Sequence, residues 1–347
     1  MFETKNPFYY IFGFSVIMVT SYFVNKFKEK MQKHDDEYDL IKKYLLNDSP
    51  LYGYNKPKIW IHTKYEVNSR NWKSFYSRNS TDLNQPYIHL TVKSIIDHCG
   101  DDFNVCLIDD DTFSKLIPSW DIDLNTVAEP MRSRLRTLGF LQLIYYYGGM
   151  VVPNSFLCLK NLKSFYNDGI RDNKPFVCES INNHVNLSND KSNLLFIPDV
   201  KIMGSPKNND IIKDFIEYLK EKNRCHIFSS EFDLLGETQY WCLNNIRNQK
   251  MNLINGNLIG IKNTFNKPIL IDDLLGESFL DLSNDAFGIY IPEDDILKRT
   301  KYQWFAVMKS DQLLNTNLII TKYIKSSIVD SHDIYNKSSI IPSAVAI

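Results

Sequence analysis

An amphipathic helix that must stop at two consecutive glycines constrains this chain more than any other feature. Between Thr126 and Tyr147, Leu135, Leu138, Leu141 or Gln142, and Tyr145 recur at three- and four-residue steps, which predicts a helix with one apolar face suited to packing on a sheet. Gly148 and Gly149 follow directly, and glycine takes the left-handed backbone that a helix exit often needs. The segment then runs Met150-Val151-Val152-Pro153-Asn154-Ser155-Phe156-Leu157-Cys158-Leu159-Lys160.

Upstream, Lys58-Ile59-Trp60-Ile61-His62-Thr63 is a strand-length apolar run after Pro57. A helical run from about Gln85 to His98, a strand at Phe103 to Ile108 and a helix opening at Asp109-Asp110-Asp111-Thr112 come next. That order indicates a parallel, right-handed α/β unit. Downstream, Phe176 to Ile181, Leu194 to Pro198 and Val200 to Gly204 read as strands, Asp210 to Lys222 and Ser230 to Asn248 as amphipathic helices, and Tyr302 to Ile324 as a closing helix with Trp304 and Phe305 on its buried side. Core packing is expected of Trp60, Trp72, Trp120, Trp241 and Trp304, which all lie in apolar or amphipathic contexts.

The 347 residues could form one large α/β domain or two small ones, and 44% hydrophobic content supplies ample core. With 40 basic and 41 acidic side chains, nothing argues for nucleic acid as a bulk electrostatic partner. The six cysteines show no Cys-x-x-Cys spacing, so reduced core residues are expected rather than a disulfide framework or a zinc site.

Pro7 to Val24 carries no charged residue, and as a helix it would be about 27 Å long, close to the hydrocarbon thickness of a bilayer. Tyr9, Tyr10 and Tyr22 fall near its ends, as interfacial aromatics do. No basic region beyond Lys5 and no small-residue cleavage site marks it as a removable signal. The expected organisation is a tail at 1–6, a transmembrane anchor at 7–25, a charged stalk and turn-rich linker at 26–55, and a globular domain at 56–347. Lys26, Lys28, Lys30 and Lys33 follow the span while only Lys5 precedes it. That bias predicts a single-pass membrane protein with its large domain in the cytosol.

The stretch from Pro57 to Lys163, with its Lys58-Ile59-Trp60-Ile61-His62 run and its Tyr147-Gly148-Gly149 helix end, resembles glycosyltransferase family 32. This group has a GT-A-type nucleotide-diphosphosugar transferase fold, in which a central mostly parallel sheet is flanked by helices. The resemblance implies that a short strand after the glycines delivers an Asp-x-Asp, whose carboxylates hold a divalent cation against the donor diphosphate. Pro153-Asn154-Ser155 stands in that place here. The family's Ser-Asp about twelve residues before the glycines and Arg about eight before them are replaced by Arg136-Thr137 and Phe140.

Neutral Asn and Ser oxygens bind Mg²⁺ poorly, so no metal and no other cofactor is expected at Asn154 and Ser155. Arg132 and Arg136 lie at i and i+4 on the helix, hence on one face, where a guanidinium pair can clamp phosphates. A basic face paired with Glu129 or solvent is the structural alternative. Asp109-Asp110-Asp111 sits at a strand-to-helix junction that favours Asp for capping, with metal binding as the other reading. His62, at a strand end, would line the nucleotide pocket if the resemblance carries over; a satisfied buried imidazole is the alternative. Glu231, Asp233 and Glu237 open a helix and are weak candidates for the general base an inverting transferase needs.

The function expected from this set is a membrane-anchored glycosyltransferase that moves a sugar from a nucleotide-sugar donor to a glycan or lipid-linked acceptor, metal-independent if active, with Arg132 and Arg136 offsetting the leaving diphosphate. The alternative is a pseudo-enzyme that keeps the fold as a binding, scaffolding or structural membrane module.

Overall fold

Ile59, Trp60 and Ile61 are completely buried, and the strand they build has a parallel neighbour on each side. The computed structural model describes residues 56–63, 85–182, 195–224 and 231–337, with only the backbone given for 231–235 and 329–337. All of these belong to residues 50–347, one of the two units into which the chain divides. The expected anchor at 7–25 and stalk at 26–55 lie outside the described residues. Among the described residues no helix is long and apolar enough to cross a membrane.

The strands are β1 (Lys58–His62), β2 (Asn104–Ile108), β3 (Gly149–Val151), β4 (Phe156–Cys158), β5 (Phe176–Ile181), β6 (Phe196–Ser205), β7 (Asn252–Ile254) and β8 (Gly288–Tyr290). The main helices are α1 (Ile88–Cys99), α2 (Met131–Tyr147), α3 (Asp210–Arg224), α4 (Glu231–Arg247), α5 (Glu293–Lys298) and α6 (Ile319–Lys337). Six strands form one sheet in the order β2-β1-β3-β6-β5-β7, and β4 pairs with β8 in a separate two-stranded ribbon. The β1–β2, β1–β3 and β5–β7 pairs are parallel, while β6 runs antiparallel to both β3 and β5. The expected mostly parallel central sheet with flanking helices is therefore present, with β6 as its one reversed strand.

The helix exit at the glycines shows why the sequence is built that way. Gly148 and Gly149 have φ of 71° and 94°, a region in which an L side chain crowds its own backbone. The Gly148 N–H caps α2 by donating to the Ile144 carbonyl at 2.8 Å, and its own carbonyl accepts from Trp60 Nε1 at 3.0 Å. β3 thereby enters the sheet directly from the helix. Leu135, Leu138, Leu141 and Ile144 of α2 are buried in one apolar cluster with Phe113 and Phe215. Each such side chain taken out of water contributes about 1.5–3 kcal/mol. Trp241 of α4 stacks on Phe215 of α3 with ring centroids 4.0 Å apart. A second cluster, including Tyr87, Leu157, Ile289, Phe305 and Ile320, packs around the β4–β8 ribbon.

Four local expectations are corrected. The long helix begins at Met131 rather than Thr126, because Pro130 precedes it and a proline, lacking an N–H, fits only at a helix start. Leu194 to Pro198 and Val200 to Gly204 are not two strands: β6 runs continuously from Phe196 to Ser205. Tyr302 to Ile324 is broken into short turns at Gln303–Ala306 and Ser310–Leu314 before α6 begins. Trp304 is not a core residue but 45% exposed, whereas Phe305 is 1% exposed. Cys99, Cys106, Cys158, Cys178 and Cys242 are free thiols; Trp72 and Cys225 lie outside the described residues.

Candidate functional site

β1, β2 and β3 end together on one edge of the sheet. His62 pairs with Ile108, and Trp60 with Val151, so continuing the register sets Pro153 level with His62. Open α/β sheets present ligand-contacting groups beyond the carboxyl ends of their strands. Three of the described side chains meet there. Asp110, two residues past β2, accepts from Arg136 Nε at 2.7 Å and Arg136 Nη2 at 2.6 Å. His62 Nε2 lies 2.9 Å from the same carboxylate, a distance at which a protonated Nε2 donates to it. The three side chains are only 11%, 12% and 16% exposed for His62, Arg136 and Asp110.

Burial pushes the Asp110 carboxyl upward, but hydrogen bonds and charge from Arg136 and His62 overcome that and hold it well below the usual carboxylate range. A planar guanidinium matched to both oxygens of a carboxylate is among the stronger ion-pair geometries. The imidazole is fixed from its sides as well, lying parallel to Phe113 at 6.2 Å and edge-on to Phe140 at 6.0 Å.

The acidic run beside this cluster divides its labour. Asp109 Oδ1 accepts from the Thr112 backbone N–H at 2.9 Å, closing the turn that leads into the helical turn Thr112–Leu116, whose N-cap residue Asp111 makes no side-chain cap. Asp111 Oδ1 accepts from Asn125 Nδ2. Only Asp110 faces His62 and Arg136, a role that its place in an acidic triplet did not reveal. Among the described residues no group of His, Cys, Asp and Glu is arranged to hold a metal ion.

Arg132 and Arg136, although on one helix, go separate ways. Arg132 Nε donates to the Leu124 and Val127 carbonyls at 3.1 and 2.8 Å, pinning the loop that precedes α2. Arg136 also reaches Glu129 at 3.4 Å. The phosphate clamp expected of the pair is thus not assembled; the structural alternative, a face tied to Glu129 and nearby carbonyls, describes it better. Glu231 and Asp233 fall in the first turn of α4, where only the backbone is described. Glu237 accepts from Tyr218 at 2.6 Å and pairs with Lys222 at 3.0 Å, which ties it to α3.

Asn154 and Ser155 form the turn between β3 and β4. The Asn154 carbonyl accepts from Thr91 Oγ1 at 2.5 Å, and the Ser155 carbonyl from the Ile291 N–H at 3.3 Å, so the backbone is held on both flanks. The side chains are not. Asn154 is 5% exposed and Ser155 0%, yet Asn154 Oδ1 and Ser155 Oγ have no hydrogen-bond partner. A buried polar atom left without a partner costs about 1–3 kcal/mol, and native proteins keep few of them.

No family model matches the chain, and no curated protein matches it. Among solved structures, one titled PaToxG Glycosyltransferase is similar at 14% identity over 63% of this chain and 83% of that one, with a TM-score of 0.33. None of these comparisons shows membership of glycosyltransferase family 32.

Proposed function

We propose that this chain binds a nucleotide-sugar donor at the carboxyl edge of β1 and β3 and belongs to the glycosyl-transfer class, passing the sugar to a glycan or lipid-linked acceptor without a carboxylate-held metal. The observation that carries the reading is the pair of unpartnered, buried side-chain oxygens on Asn154 and Ser155. They stand in the place that the resemblance assigns to donor contacts, one and two residues past Pro153, which the strand register sets level with His62, and a hydroxyl and a carboxamide suit the hydroxyl and phosphate oxygens of a sugar nucleotide. Neutral oxygens do this without a cation, whereas they would hold Mg²⁺ weakly.

A second reading, a binding module without transfer activity, is favoured by one observation. Asp110 neutralises Arg136, and backbone carbonyls hold Arg132 Nε to the loop before α2, so the two guanidiniums do not form a joint clamp for a departing diphosphate.

Thermal unfolding with UDP- and GDP-sugars tests both. A ligand at 100 times its dissociation constant stabilises the fold by about 2.7 kcal/mol, and one donor class is expected to give such a shift. Replacing Asn154 and Ser155 together by alanine is expected to remove the shift while leaving unliganded stability unchanged or slightly higher, because no protein partner is lost. A shift accompanied by donor hydrolysis or transfer in EDTA supports the transferase; activity abolished by chelation would sink the metal-free mechanism. A shift without turnover supports the binding module, and no shift with any nucleotide sugar overturns donor binding altogether.

A further inference from the structure

Two of the buried thiols meet. Cys99 is the last residue of α1 and Cys158 the last of β4, 59 residues further on, and their sulfurs lie 3.8 Å apart. Both side chains are completely buried. The Cys158 thiol donates to the Lys160 carbonyl at 3.1 Å, which leaves the Cys99 thiol to donate to the Cys158 sulfur.

Hydrogen bonds fix the backbone on each side of this contact. The Cys158 N–H donates to Ser94 Oγ of α1 at 2.9 Å, and the Cys158 carbonyl accepts from Ser327 Oγ of α6 at 2.7 Å. The Cys99 carbonyl accepts from the N–H groups of Asp102 and Phe103 at 3.1 and 2.9 Å. A disulfide brings its sulfurs to about 2.05 Å, so the two must close by less than about 2 Å, a displacement shared by two side-chain rotations. The backbone can stay where it is.

The surroundings favour a neutral product. Burial pushes the Cys158 thiol up, because a thiolate is poorly solvated there, whereas a disulfide carries no charge. No group of metal-ligating side chains gathers around the pair among the described residues. Solvent is close to both sulfurs along the chain, since Gly100, directly after Cys99, and Lys160, two residues past Cys158, are exposed. Helix ends fray, and fraying at the last turn of α1 admits a small oxidant.

We propose that Cys99 and Cys158 are a modification site, a dithiol that a peroxide converts to a disulfide within the native fold. The peroxide oxidises one thiol to a sulfenic acid and leaves as water; the sulfur of the second thiol then displaces the hydroxyl, which departs as a second water with the remaining thiol proton. The two sulfurs give up two electrons in all, and the peroxide O–O bond takes them. Only the Cys158 bond to the Lys160 carbonyl is lost. The new link joins β4 to the helix whose Thr91 holds the Asn154 carbonyl, and its formation does not depend on donor binding there.

The full chain is held in hydrogen peroxide at neutral pH, quenched, denatured with a thiol-blocking reagent present and digested without reductant. The expected product is a peptide linking Cys99 to Cys158, lighter by two hydrogen atoms than the two thiol peptides together and split by dithiothreitol. The oxidised protein should melt about 5 °C higher than the reduced one, because the bond closes a long loop in the unfolded chain. Peroxide should bring no such rise in Cys99→Ala; if that variant does not fold, the peptide map of the unaltered chain still decides. Recovery of both cysteines as blocked thiols or as sulfinic acids, pairing of either with another cysteine, or a linked protein that melts lower than the reduced one overturns the proposal.

Discussion

Gly149→Ala is expected to destabilise the fold by roughly 3–5 kcal/mol, combining the cost of a non-glycine residue in a sparsely populated backbone region with that of overpacking. At φ of 94°, a Cβ on residue 149 would stand 2.2 Å from the Lys58 carbonyl oxygen and 2.9 Å from the Lys58 carbonyl carbon and nitrogen. All three obstacles are backbone atoms of β1, so no rotamer change can relieve the clash. The β1–β3 contact would have to open, and with it the edge that carries His62 and Pro153. Native stabilities are about 5–15 kcal/mol, so a large share of the total is at stake.

Gly236→Ala is the control. It lies inside α4, and its added Cβ would meet nothing within 4 Å. Relieving a helix-interior glycine should stabilise by about 0.5–1 kcal/mol. Denaturant midpoints of the three proteins at unchanged slope check the pair of signs. Equal small effects at both glycines would mean that the helix exit does not approach β1 as closely as described.

The contrast between these glycines also explains what was legible in the sequence. β1, β2, α2 and the glycine exit are written in local periods and breakers: the apolar run at Ile59 to Ile61, the three- and four-residue steps along α2, and the Gly148-Gly149 pair. The break within Tyr302 to Ile324 is only half local. Thr316 Oγ1 bonds the Leu313 carbonyl, but Ser310 Oγ reaches Pro86, and short polar side chains that bond the backbone in this way compete with helix continuation. The continuity of β6 depends on a bulge that only its partner β5 defines. A surface cleft beside β6 gathers residues from Ser180 to Tyr302, and no periodicity spans that separation. Arg132 and Arg136 show the same limit: spacing put them on one face, but the acceptors that take them, Leu124, Val127 and Asp110, are supplied by the loop before α2 and by the turn after β2.

Asp110→Asn should be the most damaging change at the candidate site, at about 2–4 kcal/mol, because removing one partner of a largely buried ion pair leaves the other charge uncompensated. An asparagine keeps one carbonyl oxygen for Arg136 or His62 but cannot accept the two-point guanidinium contact and the imidazole together. The effect carries a pH signature. The folded-state value of Asp110 is depressed below the ordinary carboxylate value of 3.8, so as pH falls through that value the unfolded chain takes up the proton first. The stabilisation is therefore complete above the ordinary value and is lost as pH falls through it towards the depressed folded value. The stability gap between wild type and Asp110→Asn should be constant near neutrality and should narrow below about pH 4. Urea unfolding of both proteins at pH 7 and at acid pH measures it, and a gap that stays fixed would mean that Asp110 is not ionised in the fold. Donor-induced thermal shifts on the same variant then separate two roles. If His62 contacts the donor, a freed imidazole should weaken nucleotide-sugar binding several-fold beyond the stability loss. If binding survives in the fraction that remains folded, the His62–Asp110–Arg136 cluster is a brace that holds the ends of β1 and β2 to α2, and recognition rests on Asn154 and Ser155 alone.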